Sequence, residues 1–254
     1  TVFQNNFINF NKKCEVQLED HFNLTSNSIN NINYNIHVDE SAVVKHNIFQ
    51  NFANSNKLYL TSNSVCEKKS LYNQNTYNFS EGFVRNFHHA HLNGEYSNAS
   101  LKGCFFLKNK NICSNKTNII HNAENCISDQ TYKGILNHHS KASYYSNTFV
   151  SENAQKTEGY QLSKGILLTD DCSFFSKPEL RIFADDVKCS HGSTIGPVDE
   201  SVLYYLRSRG ISKNDAMKMI IASFIEEDLQ NLDKNIAEII SNNLSNYLNS
   251  LVND

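Results

Sequence analysis

A chain of 254 residues with 23 Lys and Arg against 26 Asp and Glu carries a net charge of only −3. It has no basic block for nucleic acid or an anionic membrane to read. Its apolar stretches fall far short of the roughly 20 residues that crossing a bilayer demands. The length fits one large domain, or a domain with a short appendage. The opening from Thr1 to Cys14 lacks the apolar centre of a secretory signal, and Thr1 in place of Met points to a trimmed or omitted N-terminus. Seven cysteines, an odd number, are scattered from Cys14 to Cys189 without a CxxC pair. That usage points to a reducing compartment, cytoplasmic or of plastid type, rather than to a disulfide scaffold.

Up to about Cys189 the chain reads with period two. Ile32-Asn33-Tyr34-Asn35-Ile36-His37-Val38 alternates apolar and polar strictly, as a half-buried strand requires. Similar runs recur over 42–52, 57–60, 101–107, 116–120, 143–150, 165–168 and 180–184. Between them lie clusters of Asn, Ser, Asp and Gly, which tolerate left-handed turns; Asn93-Gly94 is one explicit corner. Many short strands with corner punctuation and only two prolines favour a mainly β solenoid, of about eight coils at roughly 20 to 25 residues each.

After Pro197 the grammar becomes helical. Val198, Val202, Tyr205 and Leu206 lie at helical spacing, and Gly210 stops the run. Ser212-Lys213-Asn214-Asp215 resembles a capping box that opens a second helix to about Leu229, with Ala216, Met219, Ile220, Phe224 and Ile225 as its apolar set. A third segment, about 232–251, carries Ile236, Ile239, Ile240, Leu244, Leu248 and Leu251. The division expected is therefore a β-helix core over 1–196 and a helical segment over 197–254. The helical stripes would pack on one another and on the solenoid end, or meet a partner.

Lys177 to Gly210 reads KPELRIFADDVKCSHGSTIGPVDESVLYYLRSRG and resembles the SufD signature of the SUF iron–sulfur assembly system. Gln155 to Gln161, 167–171, and His121 through Ser128, Gln130 and 132–136 match further motifs of that family in order. A weaker match runs from Arg85 to Gly103. In the related SufB subunit a Glu tends to follow the equivalent of His191; Gly192 follows here, which is the SufD form. The resemblance implies a right-handed parallel β-helix with a helical C-terminal segment. It implies a non-catalytic scaffold subunit that works with a SufB-like subunit and binds a SufC-like ATPase through its C-terminal helices. A SufB-like homodimeric scaffold, and a β-helix carbohydrate-active enzyme using Asp170-Asp171 or Asp185-Asp186, are the competing readings.

Cys189 and His191 form the sharpest pair. On an extended segment, residues i and i+2 share a face. A thiolate beside an imidazole suits iron or a nascent cluster, and the family's cluster-site histidine maps by motif onto His191. One Cys and one His fall short of the four ligands a cluster commonly takes, so the resemblance implies a transient cluster shared with the partner subunit. The plain alternative is a core cysteine with a hydrogen-bonded histidine. His88, His89 and His91 form a tract, but neighbours on a strand point to opposite faces, so a shared metal is not expected. The paired Asp residues read as corner formers. Tyr204, Tyr205, Arg207 and Arg209 form an aromatic and basic helix end suited to an interface, or to packing on the last coil. Met219 and Phe224 extend that candidate interface toward the ATPase. No P-loop is present, so ATP hydrolysis would come from another chain.

Overall fold

The computed structural model describes residues 1–24, 27–52, 56–229 and 232–250, with the side chains of 226–229 left aside. Fourteen strands come first: β1 (Val2–Phe10), β2 (Glu15–Phe22), β3 (Ile29–Val38), β4 (Val43–Gln50), β5 (Asn56–Cys66), β6 (Leu71–Asn78) and β7 (Gly82–Leu92). These continue into β8 (Asn98–Leu107), β9 (Ile112–His121), β10 (Ile127–Leu136), β11 (Lys141–Val150), β12 (Thr157–Leu167), β13 (Ser173–Ile182) and β14 (Val187–Pro197). Three helices follow, α1 (Glu200–Ser208), α2 (Lys213–Leu229) and α3 (Lys234–Ser250).

Odd and even strands sort into two seven-stranded sheets, β1-β3-β5-β7-β9-β11-β13 and β14-β12-β10-β8-β6-β4-β2, with every pairing parallel. Each turn thus lays one strand in each sheet. The chain is a parallel β-solenoid of about seven turns, as expected in kind. The expected period was too short. Paired residues lie 26 apart at Asn56 and Gly82 and 32 apart at Lys141 and Ser173. Longer turns make fewer coils. The variable corner length also hides the repeat from the sequence.

The corners bear out a second expectation only in part, at Ser41 and Asn125. Left-handed backbone falls on Lys13, Ser41, Lys69, Tyr96, Asn125 and Lys156, a column running down one edge, and glycine supplies none of them. Each N–H donates to a carbonyl of the next coil: Lys13 to Glu40 (3.1 Å), Ser41 to Lys68 (2.9 Å), Lys69 to Glu95 (2.9 Å). These ladder bonds offset the roughly 1–2 kcal/mol that an L-residue loses in that region. Gly94 serves a different purpose, since a methyl there would run into the Lys68 backbone.

Inside, apolar rungs such as Val44, Leu58, Leu60, Leu92, Leu101, Phe105 and Leu136 fill the space between the sheets. Threaded through them are buried polar side chains. His46 lies between Asp20 (2.7 Å) and the Tyr72 hydroxyl (3.2 Å), and Ser62 links Gln74 (2.8 Å) to His88 (2.8 Å). Farther along, Gln130 joins Thr117 (2.5 Å) and Thr148 (2.8 Å), and Gln161 reaches the same Thr148 (2.8 Å). Burial, with the nearby His46 and His89 charges, pushes His88 down to about 3, and burial alone pushes His121 to about 4. From about pH 6.5 downward the unfolded chain takes up protons that these two refuse, so stability present above 6.5 is lost as pH falls toward those values. Each should remove about 1.4 kcal/mol per pH unit in that window. Urea midpoints measured near pH 7, 5.5 and 4.5 should fall steadily, and less steeply for His121→Gln. A flat wild-type profile would refute neutral interior imidazoles.

The helices begin and end where the sequence signals them. Asp199 caps α1, accepting from the Ser201 N–H (2.8 Å), and Gly210 (φ 86°) closes it. The Ser212 hydroxyl accepts from the Asp215 N–H (3.2 Å) and donates to its carboxylate (2.7 Å), the expected box at α2. Where the helices lie is a difference. α2 and α3 do not sit on the solenoid end but across the outer face of the even sheet. There Ile221, Ile225, Ile236, Ile240, Leu244 and Leu248 meet Phe49, Tyr77, Cys104, Phe106 and Ile135 of β4 to β10. The Tyr247 hydroxyl donates to the Leu107 carbonyl (3.0 Å) and Lys133 to the Phe224 carbonyl (3.1 Å). The second halves of β4, β6, β8 and β10 are therefore buried on both faces. The face that α2 turns inward matches the expected set only in part, with Phe224 half-buried on it. Ala216, Ile221 and Ile225 are buried, while Met219 is 51 % exposed. Its run Met217 to Ile225 is apolar nearly all round, so periodicity selects no side. α3 buries Ile236, Ile240, Leu244 and Leu248 as expected, with Ile239 partly buried; Leu251 lies outside the described residues.

Candidate functional site at the last coil

β13 and β14 are the terminal strands of their sheets, so the last coil ends the stack with two unpaired edges. Edges of this kind are templates for another polypeptide unless something covers them. Apolar side chains gather around this end: Phe175 (55 % exposed), Ile182, Phe183 (62 %) and Val202. Phe175, Ile182 and Phe183 were not singled out in the sequence as site residues, although Phe174-Phe175 and Ile182-Phe183 break the alternation visibly.

The β14 register settles the orientation of the Cys–His pair. Cys189 lies beside Gly159 and His191 beside the buried Gln161, whose column faces the interior. Both side chains therefore project from one face of β14, toward the inside of the coil, about 6.5–7 Å apart along the strand. Because no further coil follows, that inside face is open. His191 is exposed, and Cys189 is half-buried against Val150, Ala154, Ala184 and Val187. The place a Gly159 methyl would take is 3.2 Å from the Cys189 sulfur, so the missing side chain makes room for the thiol. Burial pushes the Cys189 thiol up, and a hydrogen bond from the Gly159 backbone pulls it part of the way back. At neutral pH it is a thiol, which must lose its proton on binding a metal. Among the described residues no three His, Cys, Asp or Glu side chains converge as a metal set. Cys189 and His191 together can offer a soft and a borderline ligand, about half of what a cluster takes.

The other candidates fall into two groups. Tyr204 (76 % exposed), Tyr205 (57 %), Arg207 and Arg209 project from α1, which buries only Leu203. The Arg209 guanidinium lies over the Tyr205 ring (5.3 Å), and both tyrosines stay largely exposed. Met219 is on the solvent side of α2. Phe224 is half-buried on the sheet side, under the Lys133 ammonium (5.3 Å from the ring). The His tract separates as strand alternation requires: His88 is inside, with His89 and His91 outside. Asp171 is held at a corner by the Thr169 hydroxyl (2.6 Å) and His139 (3.1 Å). Asp185 and Asp186 form the exposed bend before β14. Among the described residues no helix is long and apolar enough to cross a membrane.

Comparison with known proteins matches residues 1–224 to the family described as SUF system FeS cluster assembly, SufBD core domain. The chain is 38 % identical over 136 residues to the iron–sulfur cluster assembly protein SufD of Escherichia coli, covering 54 % of this chain and 32 % of that protein. It is 28 % identical over 204 residues to a SufBD family protein of Synechocystis, 80 % of this chain and 45 % of the relative. A SufD of Plasmodium falciparum matches at 29 % over 136 residues, 53 % of this chain and 9 % of that protein. The chain thus spans less than half the length of these curated relatives. By that match the chain belongs to the SufBD core family of SUF-system iron–sulfur cluster assembly proteins, with SufD among its relatives.

Proposed function

We propose that the chain is a SufD-type scaffold subunit, non-catalytic itself, that joins a SufB-like subunit through its last coil and binds a SufC-like ATPase through its helical segment. The observation that carries this is the open inner face of β14, where exposed His191 and half-buried Cys189 stand side by side with too few neighbours to hold a cluster. A second chain abutting that edge would continue both sheets and bring the missing ligands. The nascent iron–sulfur cluster is cargo, held transiently and shared across the junction. Phe183, Tyr204 and Tyr205 give the junction the apolar and aromatic area that stable interfaces use. Arg207 and Arg209 lie exposed beyond it on the route to α2, and Met219 lies exposed on α2 itself. Movement of a bound ATPase would reach His191 through α1, which follows β14 directly.

The test is anaerobic reconstitution of the assembled complex with His191→Ala. Cluster absorbance is expected to fall at least about tenfold while the subunits still co-purify. Equal cluster yield would remove His191 from the reaction. A chain with no affinity for either partner would sink the whole reading.

A further inference from the structure

We propose that the outer face of the odd-numbered sheet is a docking surface for an acidic protein segment that carries aromatic side chains. The helices cover the even sheet, and among the described residues no element covers the outside of the odd one. Six cations point outward from it, Lys57, Arg85, Lys116, Lys141, Lys177 and Arg181, all exposed, against the single carboxylate of Glu179. On a chain whose net charge is −3, so one-sided a face is a local departure.

The cations are also placed. Ladder pairing sets five of the six against a ring: Lys57 with Phe83, Tyr59 with Arg85, Phe87 with Lys116, Tyr145 with Lys177, and Phe149 with Arg181; Lys141 pairs with Ile112 and Ser173. The Lys116 ammonium lies 4.7 Å from the Phe87 centroid. Tyr145 (39 % exposed) and Phe175 stand 5.7 Å apart, ring to ring. Aromatic rings beside Lys and Arg match acidic, aromatic protein surfaces in both charge and apolar area. At one margin the face dips into a cleft of about 740 Å³ lined by Lys57, Phe83, Lys110, Ile112 and His139, the last held by Asp171 (3.1 Å). It is roomy enough for an aromatic anchor flanked by carboxylates. Seven strands at about 4.8 Å and some eight residues along each give about 750 Å². That is close to the roughly 800 Å² each partner contributes to a stable interface. Protein is favoured over nucleic acid because the middle of the face is an amide ladder whose donors are spent on one another. Asn118 pairs with His89 (3.1 Å) and Asn147 with Asn118 (2.5 Å), leaving no continuous basic track for phosphates.

The experiment follows the full-length protein binding a fluorescent copolymer of glutamate and tyrosine, roughly four to one, by anisotropy at low and high salt. Binding is expected at low salt. It should weaken at least about tenfold in Lys116→Glu with Lys177→Glu, and less than about twofold in the corner control Lys12→Glu with Lys68→Glu. Arg85→Glu alone, on a separate strand, should weaken it as well, and urea midpoints establish that each variant is folded. Absence of binding, equal losses in face and control variants, or tighter binding of single-stranded DNA or anionic phospholipid vesicles than of the copolymer would each overturn the proposal.

Discussion

Ile240→Asp is expected to release α3, and with it α2, from the flank of the solenoid. Ile240 is 1 % exposed, in the middle of the cluster formed with Tyr77, Phe106 and Ile135. Losing its apolar contact alone costs about 2–5 kcal/mol. A carboxylate forced into the same space would also shed its hydration with no partner waiting. Helix propensity cannot hold the pair in place, because isolated helices of this length are marginal in water. Amide exchange should therefore accelerate throughout α3 while the interior strands stay protected, and an environment-sensitive dye should bind the uncovered Phe49–Ile135 band. Unchanged protection in α3 would mean that the docked arrangement does not hold the helices. Because the change lies far from Cys189 and His191, loss of ATPase binding with retained SufB-like binding would separate the two junctions in the proposed assembly.

Phe105→Ala is expected to destabilise the solenoid itself by about 3–5 kcal/mol. Its ring is 1 % exposed, meets Phe174 edge-on (5.2 Å between centroids) and occupies the space that Gly134 leaves by having no side chain. Those contacts tie β8 to β10 and to the start of β13, so truncation opens a void in three coils at once. Backbone ladders on either side resist collapse into it, which places the cost toward the upper end of the range. The urea midpoint should fall with little change in slope, since the surface exposed on unfolding is nearly the same. A loss below about 1 kcal/mol would mean that Phe174 or Tyr132 swings in to fill the space.

Much of this was legible in the residues, and the parts that were not share a cause. Ile32 to Val38 announces a strand because its inner positions are apolar and its outer ones polar. β6, Leu71-Tyr72-Asn73-Gln74-Asn75-Thr76-Tyr77-Asn78, hides, because Gln74 and Thr76 face inward while Tyr77 faces the helices. β14 hides for the same reason, with Cys189, His191 and Ser193 on its inner side. Hydropathy reads a polar core and a covered outer face as no pattern at all. Gly210 and the Ser212–Asp215 box fixed the helix limits because caps are local chemistry. Which face of α2 turned inward, and that it lay beside β4 to β10 rather than on the end, depended on partners more than 80 residues away. The shared side of Cys189 and His191 followed from strand alternation. That this side opens onto an unpaired edge emerged only from the order of the sheets.

The corner column carries a consequence of its own. Handedness there is held by the neighbouring coil, whose carbonyls accept from the corner N–H groups, so lysine, serine, tyrosine and asparagine all serve at the bend. The chain of donors runs out after Lys156, whose N–H reaches the Asp186 carbonyl (2.6 Å). The bend at Asp185-Asp186 has no rung beyond it to dictate its geometry, so of all the corners in that column it is the one whose shape an incoming polypeptide could set.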